Sequence, residues 1–205
     1  MNSDLSKTEI IDKYRHFNVD HDWWEYVYED FIRTLEEKGI SVTSNEIQFT
    51  GFFSQGDGAS FTGTIHKSDM KRFMDAHDLA EGYEGSYFFA KLEELCVLVD
   101  TTSSHYCHSK TMQIYIDDSQ ILAFDADGDV REEIYNVMYD EFNTEQAGFE
   151  NKVTEICRGY ADKLYRDLYE EYEYLTSDAL VVEALEANGI FDKQDEGEEY
   201  GIRSN

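Results

Sequence analysis

The sequence predicts an α+β fold: an antiparallel sheet of four to five strands in a meander, packed with helices and followed by a helical, acidic C-terminal part. Three observations carry this expectation. Apolar residues recur at three- and four-residue steps early in the chain and again from residue 130 onward, the period of an amphipathic helix. Between them lie short runs rich in β-branched and aromatic residues, bounded by glycine and polar turn residues, which is how strands are punctuated. The third is composition: 41% apolar and 15% aromatic residues accompany a net charge of −28 on 205 residues, so the chain can bury a core where a disordered acidic chain cannot. Residues 1–125 read as the sheet core with its N-terminal helices, 126–190 as a helical acidic part of the same domain, and 191–205 as a flexible tail.

Each element has a local reason. Lys7 to Phe17 reads as a short helix, and Asp20-His-Asp22 places carboxylates at the positive end of the next. In that second helix Trp24, Val27, Tyr28, Phe31 and Leu35 line one face while Glu25, Glu29, Asp30, Glu36 and Glu37 fall elsewhere, and Gly39 ends it. Glu46 to Phe53 and Ala59 to Ile65 flank the tract Ser54-Gln-Gly-Asp-Gly58, the signature of a hairpin with a loop. Helical pattern resumes at Ser68 to His77 and Tyr87 to Leu95. Strands are expected at Cys96 to Thr102 and Thr111 to Asp117, with a further one at Gln120 to Phe124. Phe149, Val153, Ile156, Tyr160, Leu164 and Leu168 keep a helical stripe for five turns. Asp178 opens a last helix that Asn188-Gly189 closes.

Compartment follows from what the chain carries. Cys96, Cys107 and Cys157 are odd in number and form no paired-Cys motif, as in a reducing environment. The N-terminus has neither a basic nor an apolar signal region, and no apolar run approaches the ~20 residues of a membrane helix. A cytoplasmic protein is expected, with no membrane partner.

Few motifs point to catalysis. The stretch Gly51 to Gly63 holds Ser54, Gln55, Asp57 and Ser60 as a possible ligand loop, because glycine-rich backbone can bring N–H groups onto an anion. It lacks the Gly-Lys-Ser/Thr ending of a phosphate loop and the spacing of a dinucleotide fingerprint, and Asp57 would repel an anion. His105 and His108, with Cys107 between them, are the densest set of potential metal ligands, but a structural zinc site needs a second pair that the chain does not offer. No Gly-x-Ser-x-Gly elbow exposes a serine. Nothing implies a cofactor, and no catalytic residue is assigned. Trp23, Trp24, Tyr26 and Tyr28 stand without the basic groove that base stacking requires, and direct nucleic-acid binding is disfavoured by the scarcity of Lys and Arg.

Charge is the remaining signal. Residues 125–205 hold 23 acids against 7 bases, a net of −16, while the first 124 carry −12. A compact chain of this mass exposes roughly 9,900 Å², which spreads the excess at about one charge per 350 Å²; duplex DNA, at one charge per ~1.7 Å of axis, has about one per 100 Å². Imitating DNA therefore requires the excess to crowd onto roughly a third of the surface. The carboxylates expected to form such a partner-binding face are Asp140, Glu141, Asp162, Asp167, Glu170, Glu171 and Glu173.

Three stretches carry a family resemblance: Asp22 to Phe31 with Ile47 to Gly63, then Ser104-His-Tyr-Cys-His108 leading into Met112 to Asp117, then Tyr172 to Asp178 through Glu186-Ala-Asn188. Through them the chain resembles an uncharacterised family of phage and bacterial mobile-element proteins with a GFxSQGDGAxFxG motif, some of which are labelled antitoxin of a toxin–antitoxin stability system. It departs from the family pattern at Phe53, where Trp is frequent, and at Cys107, where Tyr is frequent. The resemblance implies a phage origin and a protein target in the bacterial host cytoplasm, and it implies no catalytic residues. With the charge, it leads to the expectation of an acidic inhibitor that occupies the nucleic-acid-binding site of a host defence, repair or nuclease protein. The alternatives are an antitoxin-like neutraliser acting through an aromatic surface, and a metal-binding enzyme centred on the glycine loop with His105 and His108.

Overall fold

The computed structural model describes residues 6–79, 81, 86–103, 105–117, 132–192 and 201–202. The expected strand at Gln120 to Phe124 lies outside them. Six helices are seen among the described residues, α1 (Lys7–Tyr14), α2 (Glu25–Glu37), α3 (Met70–Ala76), α4 (Tyr87–Lys91), α5 (Glu132–Leu175) and α6 (Asp178–Ala187). The strands are β1 (Ile47–Phe49), β2 (Ala59–Phe61), β3 (Gly63–Ile65), β4 (Cys96–Thr101), β5 (Met112–Asp117), β6 (Phe191–Asp192) and β7 (Gly201–Ile202). The chain forms two compact units, residues 28–165 and residues 1–27 with 166–205, and α2 and α5 each contribute to both.

The α+β class is as expected, but the strands are divided differently. β1 pairs with β2, while β3, β4 and β5 form a separate antiparallel sheet. The run from Ala59 to Ile65 that reads as one strand is broken at Thr62 because Gly63 sits against the Ser41 backbone. A Cβ on Gly63 would lie 2.7 Å from the Ser41 carbonyl oxygen, and Ser41 and Thr64 exchange both backbone hydrogen bonds, at 2.8 and 3.0 Å. Only glycine admits so close a backbone neighbour.

The three-stranded sheet buries one face. Val97 and Val99 on β4 and Met112, Ile114 and Ile116 on β5 point inward, while Leu98 and Tyr115, paired across the strands, are exposed. Such alternation is what an antiparallel sheet with one solvated face requires. The buried stripe of α5 runs through Phe149, Val153, Cys157, Ala161 and Leu164. Cys157 and Ala161 thus take the places expected for Ile156 and Tyr160, which are half-buried. The rings of Phe142 and Phe149 meet Phe88 at 5.2 and 5.7 Å, within the range of favourable edge-to-face pairs.

In the other unit α1 and α6 pack through Ile10, Ile11, Val181 and Leu185. Ser6 and Glu9 form a capping box at the start of α1, and Ser177 caps α6. Arg15 fixes the corner between α5 and α6, donating to the Thr176 carbonyl at 3.0 Å and pairing with Asp178 at 2.8 Å. Asn18 donates to the Leu175 carbonyl, at the end of α5 where the last carbonyls have no intrahelical partner, and to the Leu180 carbonyl in the first turn of α6. Gly189, with φ 68°, closes α6 as expected. Within the expected tail, β6 and β7 pair, with Phe191 opposite Ile202.

Candidate functional site

The glycine loop and the His105–His108 turn are brought together. Asp57 turns inward and its Oδ2 accepts the backbone N–H groups of Phe53 and Ser54 at 2.8 and 2.6 Å. The loop amides that an anion would need are thereby engaged by the loop's own carboxylate. Gly51 and Gly56 adopt φ of 121° and 109°, conformations open to glycine, and the open side of Gly56 faces the Tyr106 ring. Gly58 is tighter still: a Cβ there would stand 2.4 Å from His108 Cβ and 2.9 Å from the Cys107 carbonyl oxygen. The loop is a latch seated on the 105–108 turn.

The individual candidates separate accordingly. Ser54 and Gln55 are exposed at the tip, whereas Ser60 lies on β2, buried, with a hydroxyl that has no hydrogen-bond partner among the described residues. His105 is exposed and His108 half-buried, each beside the Tyr106 ring. Cys107 is buried, its Sγ 3.4 Å from Gln48 Oε1. Among the described residues no group of three or more His, Cys, Asp or Glu side chains is arranged to hold a metal ion.

The seven candidate acids all lie on α5 but form no single row. Asp140, Glu141 and Asp162 belong to the stretch where Lys152, Arg158 and Lys163 are interspersed, and Arg166 stands four residues from both Asp162 and Glu170, the spacing at which helix side chains are neighbours. From Asp167 to Asp192 no Lys or Arg occurs, and the same holds from His16 to Ile32. Asp167, Glu170, Glu171 and Glu173 lie in the first of these base-free segments. The second brings Asp20, Asp22 and Glu25 into the same unit. Elsewhere bases are spent locally: Arg33, Lys71, Arg72, Lys91 and Arg158 each pair with an acid three or four residues away.

The two base-free segments enclose an open cleft of about 630 Å³ within the unit formed by the chain ends. α6 supplies one wall with Leu180, Glu183, Ala184 and Ala187, which recur at helical spacing, and the end of α5 supplies Glu171, Tyr174 and Leu175. The third side is the segment from Asn18 to Tyr26. Trp23 is buried there, its ring 5.9 Å from those of Trp24 and Tyr172. Tyr26, at 81% exposure, and Tyr174, at 59%, present their rings to solvent. Four carboxylates line the cleft, Asp22, Glu25, Glu171 and Glu183, together with the His21 imidazole; no Lys or Arg is among the lining residues, and none of the four carboxylates has an ion pair among the described residues. Of these residues only Glu171 stood among the sequence candidates. The others were visible only as a segment without Lys or Arg.

The chain belongs to a family described as a domain of unknown function (DUF8835), which matches residues 23–178. No curated protein and no solved structure matches it. Among the described residues no helix is long and apolar enough to cross a membrane.

Proposed function

We propose that this chain is an acidic binding protein that occupies the basic, nucleic-acid-binding surface of a host defence, repair or nuclease protein in the bacterial cytoplasm. The observation that carries this reading is the unit built from residues 1–27 and 166–205. Two long segments without Lys or Arg meet in it, one carrying Glu170, Glu171, Glu173 and Glu183 on α5 and α6, the other carrying Asp20, Asp22 and Glu25, while Arg15 pairs with Asp178 at the corner between the two helices. A field of one sign concentrated on one region steers a partner of opposite sign and selects against acidic ones. The interspersed stretch of α5 from Asp140 to Arg166 contributes less, so the working face narrows from seven acids to those beyond Arg166, with Asp20, Asp22 and Glu25.

The test is competition. The immobilised chain is expected to retain basic DNA-binding proteins from bacterial lysate at ~50 mM salt and release them by ~500 mM, as screening shortens the reach of exposed charges, and duplex DNA should displace the same proteins. Retention that is indifferent both to salt and to DNA would overturn the reading. The exposed rings of Phe53 and Tyr106 on the glycine-loop latch favour a second reading, an antitoxin-like neutraliser. Under it, replacing those rings would abolish partner binding while reversing acids beyond Arg166 would leave it intact.

A further inference from the structure

We infer that the cleft between α6, the end of α5 and the Asn18–Tyr26 segment receives an arginine side chain presented by the protein partner. The inference rests on the acidic-binding reading and locates its anchor. The cleft's volume, about 630 Å³, lies in the range of sites that take a ligand rather than a single water, roughly 300–1,000 Å³. Its chemistry is not that of an acidic patch alone. The exposed rings of Tyr26 and Tyr174 line the cleft together with the carboxylates of Asp22, Glu25, Glu171 and Glu183, the His21 imidazole and the apolar side chains of Leu175 and Leu180.

An occupant must therefore be cationic, flat enough to lie on a ring, and apolar along its stem. Guanidinium meets all three requirements: it stacks on aromatic faces, donates in a fork to carboxylates and is more weakly hydrated than ammonium. Lysine offers a point charge without the planar fork, and a neutral aliphatic chain leaves the carboxylates unmatched. Ala184 and Ala187 keep the α6 wall low where larger side chains would fill the space.

The probes are capped Gly-Arg-Gly, Gly-Lys-Gly and Gly-norleucine-Gly peptides, titrated into the 205-residue chain and followed by tryptophan fluorescence and backbone amide shifts. The arginine peptide should saturate, with shifts confined to residues 18–26 and 171–187, the lysine peptide should bind several-fold more weakly, and the norleucine peptide should not bind. The double substitution Glu171→Gln with Glu183→Gln should weaken the arginine peptide by at least about fivefold, and Tyr26→Leu, at an exposed position, should weaken it without changing the melting temperature. Equal response to the arginine and norleucine peptides, or shifts outside the cleft, would overturn the inference. The wider reading fails separately. An arginine peptide that binds here while no basic protein does would refute the proposed function and leave the cleft standing. A salt-sensitive protein partner whose affinity ignores the Gln substitutions would refute the cleft alone.

Discussion

Replacing Gly58 by alanine tests whether the glycine loop is a latch. The backbone does not resist the change, since Gly58 is not among the glycines with left-handed φ. On conformational entropy alone Gly58→Ala should stabilise by about 0.4–1 kcal/mol. Space decides otherwise. The new methyl group would lie 2.4 Å from His108 Cβ and 2.9 Å from both His108 Cα and the Cys107 carbonyl oxygen, so the two segments must separate by an ångström or more, to ordinary contact. The turn opposite is not free to yield, because the His108 carbonyl accepts from Thr111 N and Oγ1 at 2.9 and 2.7 Å. The loop side would in turn disturb the bonds that join Thr50 and Gly58, at 3.2 and 3.3 Å. Overpacking of this kind costs about 1–3 kcal/mol, each strained hydrogen bond about 1 more, and a net loss of about 2 kcal/mol remains after the entropic gain. At about 2–4 °C per kcal/mol for a chain of this size, the melting temperature should fall by about 4–8 °C. Gly159→Ala is the matched control: it is exposed in the middle of α5 with nothing within 4 Å of the added methyl. Removing a mid-helix glycine should stabilise by about 1 kcal/mol. Thermal melts followed by circular dichroism give both signs in one experiment. A Gly58→Ala protein melting no lower than the parent would refute the latch.

Two further outcomes follow from buried groups. Burial pushes the Cys157 thiol up to about 12 and raises that of Cys107; because the thiolate is the reactive form, a thiol reagent at about pH 8 should modify Cys157 only after denaturation, and stoichiometric labelling of Cys157 in the native protein would contradict its burial. His77 donates from Nδ1 to the Phe73 carbonyl at 2.7 Å and accepts at Nε2 from Tyr160 Oη at 2.8 Å, and desolvation lowers its pKa below the ordinary value of 6.5. A depressed histidine contributes stability that is present above the unfolded value and is lost as pH falls below it toward the folded value. Between about pH 7 and 5 the parent should therefore lose more stability to urea than His77→Gln, and parallel pH curves for the two proteins would remove His77 from the account.

Much of the fold was legible because it rests on local rules. The start of α6 at Asp178 and its close at Gly189, the apolar face of α2 through Tyr28, Phe31 and Leu35, and the positions of β4 and β5 are each set by residues within a turn or a strand of one another, although the N-cap itself is Ser177, one residue before the expected opening. The misreadings have a common cause in close approach. A hydropathy pattern favours the large Ile156 and Tyr160 for the α5 stripe, but it is the small Cys157 and Ala161 that are fully buried, which suits a helix drawn near its neighbours. The strand from Ala59 to Ile65 reads as continuous because nothing in its own sequence announces that Ser41 will lie against Gly63. The cleft was invisible for a related reason: Tyr26 and Glu183 are far apart in sequence, and no local pattern links a base-free segment at one end of the chain to one at the other. The candidate acids were found by charge alone, and charge alone does not distinguish Glu171, which lines the cleft, from Asp162, which stands among lysines and arginines.

Salt should act on this protein in two opposite directions. Among the described residues Arg15, Arg33, Lys71, Arg72, Lys91 and Arg158 are held in ion pairs at the surface, and exposed pairs are worth ~0–1 kcal/mol each, lost on screening. Against them stands the repulsion of a net −28, of which −12 falls on the unit of residues 1–27 and 166–205 that carries the cleft, and self-repulsion destabilises a compact state. At ~0.02 M salt charges sense one another over more than 20 Å, at ~0.5 M over about 4 Å, so the repulsion extends across a whole unit in the first case and barely between neighbours in the second. The uncompensated charge is the larger quantity, and the melting temperature should rise with NaCl over this interval while affinity for a basic partner falls. A melting temperature that declines with salt would mean that the local pairs outweigh the excess, that the carboxylates are less crowded than the base-free segments imply, and that the surface has no concentrated field with which to attract a partner.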